Sequence, residues 1–141
     1  ASAVPSTLRR LRGELDYALH TEVIQHTIVA YNNLFATMVS LARLLGVDPA
    51  NIGNAWVRGR MRAPAPEPFT HEQLREVLEL LPEGLHVSLG GTPEYNHPHH
   101  RYVTNAPESR LGLQFEYVIN ALRQRAQELL AQQPAPRWYV P

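Results

Sequence analysis

The chain has 141 residues, thirteen arginines, no lysine, no cysteine and a formal net charge of zero. That length allows one compact domain with a buried core rather than two independent ones. The absence of cysteine excludes disulfides and thiolate metal sites. With 44% hydrophobic and 18% charged residues, the composition is that of a folded chain, not a disordered one.

ASAVPSTLRR at the start lacks the apolar segment and cleavage pattern of a signal peptide. Ser6 or Thr7 is expected to cap a first helix, with Leu8, Leu11, Leu15, Ala18 and Leu19 on one buried face. Gly13 weakens it, so residues 6–20 are read as a basic helical arm. From Ile24 the apolar positions Ile24, Ile28, Tyr31, Phe35, Met38, Ala42 and Leu45 alternate steps of four and three, a heptad seam. Val23, Leu34, Leu41 and Leu44 widen it, and Gly46 is placed to end the helix. The stretch 23–47 is no membrane span, because Gln25, His26, Asn32, Asn33, Thr37, Ser40 and Arg43 interrupt it.

Asp48 and Pro49 form a cap and first-turn pair for a shorter helix through Ile52, Ala55 and Trp56. A proline-rich joint at 63–69 follows, stiff and extended. Thr70 and Gln73 make a capping box for a helix through Leu74, Val77, Leu78 and Leu81, stopped by Pro82. LHVSL at 85–89 and HRYVT at 100–104 suggest a short β-hairpin over 85–104. The last long helix is expected over 107–133, with Leu111, Phe115, Val118, Leu122, Leu129 and Leu130 inward. The extended tail 134–141, PAPRWYVP, cannot be helical at its prolines. The expectation is a single, mainly α domain over 1–141, a helical bundle with long N-terminal and C-terminal helices.

Charge is segregated along this frame. Residues 1–62 carry seven arginines against four acidic residues, a net +3, and residues 63–141 carry six arginines against nine glutamates, a net −3. Arg9, Arg10, Arg12, Arg43, Arg58, Arg60 and Arg62 are therefore candidate phosphate contacts. The planar guanidinium gives two parallel hydrogen bonds to phosphate and stays protonated at working pH. Arg9 and Arg12 share a helical face, and extended geometry would set Arg58, Arg60 and Arg62 on one side. Such contacts meet backbone phosphate and ignore base sequence. The alternative is an ordinary solvated surface.

Other chemistry has less support. His97, His99 and His100, with Glu94 or His86, offer neutral nitrogen ligands for zinc or copper. Their spacing on a proline loop fits no familiar site, and the expectation is a polar loop with no metal and no cofactor. Glu22 and His26 share a helical face, but no matching Glu-x-x-His stands on another helix. Ser88 before Gly90 and Gly91 lacks a nucleophile elbow. No enzyme is expected, a metal-dependent enzyme at the His97–His100 loop being the alternative.

Assembly is the remaining candidate. A helix over 23–47 would be about 37 Å long and apolar on two stripes, so Ile24, Ile28, Tyr31, Phe35 and Met38 are read as contacts between copies. Trp138 and Tyr139 are read as part of an arm that docks on another subunit, or folds back on its own core.

A cysteine-free helical chain with STLRRLR at 6–12, VRGRMR at 57–62, proline joints and an aromatic tail resembles the major capsid proteins of filamentous and rod-shaped archaeal DNA viruses. The resemblance implies a helical bundle whose N-terminal segments wrap double-stranded DNA in A-form, with copies, or pairs with a related second subunit, stacking into a virion filament. The zero net charge and the hairpin depart from that pattern. An oligomeric scaffold that ignores nucleic acid is the further alternative.

Overall fold

The computed structural model describes residues 2–20, 24–53, 55–61, 67–83, 85 and 110–133; the side chains of 19, 20, 24–28, 56 and 110–114 fall outside that description. Among the described residues the three- and four-residue apolar rhythm becomes helices α1 (Val4–His20), α2 (Ile24–Leu45), α3 (Ala55–Arg60), α4 (His71–Leu80) and α5 (Arg110–Gln132), with a 3₁₀ turn at Pro49–Ile52 and no strand. Of the expected hairpin, only Leu85 lies within the described residues.

Helix α1 starts before Ser6 and Thr7. Its buried stripe begins at Val4 and continues through Leu8, Leu11, Leu15 and Ala18. The cap is supplied by tertiary structure. Val4 N donates to Ser2 Oγ at 3.1 Å, while Ser2 Oγ and Ala3 N donate to Glu67 Oε2 at 2.7 and 3.2 Å. With Val4, Leu8, Leu11, Leu15 and Ala18 in the core, α1 packs as part of the bundle rather than as a detached arm.

Helix α2 ends as the glycine requires. Gly46 has φ 71, Gly46 N donates to Arg43 O at 3.1 Å, and Val47 N donates to Ala42 O at 3.0 Å. These two bonds are the Schellman pattern, in which a left-handed residue satisfies carbonyls the helix leaves open. Val47 and Ala42, both buried, supply the accompanying apolar contact. The single helix expected after Asp48 is split. Asp48 Oδ1 accepts from Ala50 N at 3.0 Å and starts the 3₁₀ turn, but Gly53 at φ 81 breaks the path before α3. Helix α4 has the full capping box: Gln73 N donates to Thr70 Oγ1 at 3.1 Å, and Thr70 N donates to Gln73 Oε1 at 2.9 Å.

Four helices close a ring in the order α1, α2, α5, α4, each packed on the next. Cross-links fix their directions. Arg10 reaches Thr37, and Glu67 ties Ser2 and Ala3 to Leu44, so α1 and α2 are antiparallel; Arg123 reaches Leu81 O and Gln133 reaches Phe69 O, so α5 and α4 are antiparallel. Phe115 packs edge-on against Tyr31 and Phe35, with centroids at 5.8 and 5.4 Å, and Arg125 reaches Leu45 O, so α2 and α5 run parallel. One end of the bundle therefore holds the start of α1, the end of α2, the start of α4 and the end of α5. The excursion 46–67 leaves α2 and returns to it there, Glu67 N donating to Leu44 O at 2.9 Å.

This ring corrects the assembly reading of α2. Tyr31, Phe35 and Met38 are buried in the chain's own core with Leu34, Leu41, Ala42 and Leu45. Partners of comparable length make that possible, α1 having 17 residues and α5 having 23 against 22 in α2. The side chains of Ile24 and Ile28, and residues Trp138 and Tyr139, lie outside the described residues. Burial pushes the Tyr31 phenol above its ordinary pKa. Among the described residues, no helix is long and apolar enough to cross a membrane.

Candidate nucleic-acid interface

Exposed arginines stand on three separate helices. Arg9 is exposed in the second turn of α1 and Arg43 in the last turn of α2, beside the start of α1. Arg58 and Arg60 are exposed on α3 within the excursion. The extended, one-sided reading of Arg58, Arg60 and Arg62 is corrected for its first two members. Val57 and Met61, four apart, are both buried, which selects a helical turn. Residues two apart on a helix point about 200° away from each other, so Arg58 and Arg60 face different sides. Arg62 lies outside the described residues.

Arg10 and Arg12 have structural employment. Arg10 Nη2 donates to Thr37 Oγ1 at 3.0 Å and lies 3.6 Å from Glu14 Oε1; Arg12 Nη2 donates to Glu76 Oε1 at 3.1 Å. The first pins α1 to α2 and the second pins α1 to α4. Their side chains remain 59% and 54% exposed. A guanidinium has five N–H donors, so the one or two internal partners leave donors facing solvent. The Arg12–Glu76 pair, together with Glu67 at the start of α1, also brings the positive and negative halves of the sequence together.

Two arginines that the sequence did not single out hold the frame. Arg123 Nη1 donates to Leu81 O, just past α4, and Arg125 Nε donates to Leu45 O at 3.1 Å, the last residue of α2. Helix C-terminal carbonyls carry partial negative charge and lack intrahelical partners, so both are satisfied by a cation from a neighbouring helix. Arg125 Nη1 also pairs with Glu128 Oε2 at 3.3 Å. No local pattern announces this, because the accepting carbonyls are 42 and 80 residues away.

The surface beside the Gly46 turn carries both signs of charge. A cleft of about 140 Å³ between the Gly46 turn and α5 is lined by Asp48, Asn51, Gln124, Arg125 and Glu128. Among the described residues, no group of three or more His, Asp or Glu side chains is arranged to hold a metal ion. His86, Glu94, His97, His99 and His100 lie outside them, as does Glu22, and the His26 side chain is not described. No family model, curated protein or solved structure matches this chain.

Proposed function

We propose that this chain is a non-enzymatic structural protein that self-assembles into a virion filament and wraps double-stranded DNA through arginine–phosphate contacts without sequence preference. The observation that carries this reading is the exposure of Arg9, Arg43 and Arg58 on three different helices of the positively charged half of the chain. Arg10, Arg12 and Arg60 add donors on the same two helices, α1 and α3. The resemblance to the coats of filamentous archaeal viruses supports the same reading, with homo-oligomers or pairs with a related second subunit as the building block.

Individually such contacts are weak, and a filament multiplies them along the duplex. Binding of this kind releases counterions, so its logarithm falls with log salt by about 0.9 per neutralised phosphate. Titrating fluorescent duplex DNA at several salt concentrations measures that slope. Changing Arg9, Arg43 and Arg58 together to Gln should flatten it by about 2.7 if each meets one phosphate. An unchanged slope in the triple variant would remove these three positions from the interface, and duplex binding absent at low salt would remove the coat reading altogether.

A further inference from the structure

A glycine stands in the middle of α1 where nothing in the fold calls for one. Gly13 is exposed, its φ is not positive, and a β-carbon built on it would meet nothing within 4 Å. Alanine would therefore fit there without a clash and hold the helix better, because a glycine inside a helix loses more chain entropy on folding. Gly46 and Gly53, by contrast, have a conformational reason, at φ 71 and 81.

What borders Gly13 is positive charge. Arg9 and Arg10 stand one helical turn before it, at i−4 and i−3, so the three share a face, opposite the buried Leu8, Leu11 and Leu15. Arg9 is exposed, and Arg10 keeps 59% of its side chain exposed although its Nη2 is held by Thr37 and Glu14. The pairing recurs on α3. Gly59, again with nothing within 4 Å of its β-carbon position, lies between the exposed Arg58 and Arg60.

We propose that the outward face of α1 formed by Arg9, Arg10 and Gly13 is a phosphate seat, and that Gly13 is where the nucleic-acid backbone comes closest to the helix. The seat rests on the coat reading and gives it a location. A residue without a side chain lets a ligand lie against the helix itself. Consecutive residues point about 100° apart around a helix, so Arg9 and Arg10 close on a phosphate from two directions. Arg10 is already oriented by its internal partners, so it loses less side-chain freedom on binding. Asp16, exposed three residues beyond Gly13, ends the seat by placing a carboxylate on the next turn.

The test sets stability against binding. Gly13→Ala should raise the urea midpoint by about 0.5 M and yet weaken the binding of fluorescent duplex DNA. Gly13→Leu, which fills the seat, should weaken it about ten-fold, the loss of one charge-assisted hydrogen bond, with the alanine variant between it and the parent chain. Ala131→Leu adds similar bulk at an exposed position of α5 and should leave binding unchanged. If Gly13→Leu binds as tightly as the parent, or Ala131→Leu weakens binding as much, the seat is overturned while the parent's own binding keeps the coat reading. A urea midpoint lowered by Gly13→Ala would show that the fold needs this glycine, and the seat would fall. A parent chain that binds no duplex at low salt removes the coat reading and the seat together.

Discussion

The contact between α2 and α5 and the exposed arginines of α1, α2 and α3 use the same few residue types under opposite constraints. On α5, Arg123 and Arg125 are partly buried and spend their donors on the carbonyls of Leu81 and Leu45, while Phe115 fills the space between Tyr31 and Phe35. On α1, α2 and α3, Arg9, Arg43 and Arg58 are exposed. The contrast teaches that charge alone does not mark a binding residue. An arginine becomes a strut where a helix end points open carbonyls at it, and stays available where its helix faces water.

The two regions should separate under mutation. Phe115→Ala should cost the most, about 3–5 kcal/mol, because it empties a fully buried site and removes both edge-on ring contacts. Denaturant unfolding measures it, and a midpoint independent of protein concentration would agree with a seam buried inside one chain. A midpoint that rises with concentration would return Tyr31, Phe35 and Met38 to a contact between copies. Arg125→Met should cost less, about 1–3 kcal/mol, since the Leu45 carbonyl loses its charged donor while the methionine stem keeps most of the packing.

A smaller effect should appear only in alkali. Burial raises the Tyr31 pKa above its ordinary value, so the folded state favours the neutral phenol. The stability this represents is fully present below about pH 10 and is lost as pH rises through the raised folded value. Tyr31→Phe should therefore resist alkaline unfolding better than the parent chain while matching it near neutrality. A pH titration of the helical signal checks this, and identical alkaline limbs would assign the loss to other groups.

How much of this was legible follows from how far each signal reaches. The Gly46 stop, the Thr70–Gln73 box and the inward residues Phe115, Val118 and Leu122 are local patterns, and each stands where its spacing puts it. The seam of α2 was equally plain, but a heptad states only that an apolar partner exists. Whether that partner is α5 or another copy depends on the lengths of α1 and α5, which no residue of α2 encodes. Arg58 and Arg60 misled because alternation before prolines suggests extended chain, whereas burial of Val57 and Met61 winds the segment into α3. Glu67 at the start of α1, 64 and 65 residues from its partners, is a tertiary cap that only the closed ring creates.

The smallest stability change is expected for Arg9, Arg43 and Arg58 taken together to Gln. Exposed substitutions away from caps and buried networks usually move stability by no more than about 0.5 kcal/mol each. Glutamine keeps good helix propensity, so α1, α2 and α3 lose little. Arg43 is the one member with a local role, because a cation in the last turn of α2 opposes the partial negative charge of its C-terminus, worth about 0.3–1 kcal/mol. The measurement is the urea midpoint of the triple variant beside Arg43→Gln alone. If the triple variant falls well beyond the single one, Arg9 or Arg58 is a strut like Arg125, and the distinction between the two sets of arginines collapses. If the two midpoints agree, the fold has no use for the Arg9 and Arg58 guanidinium groups, which leaves them to a partner outside the chain.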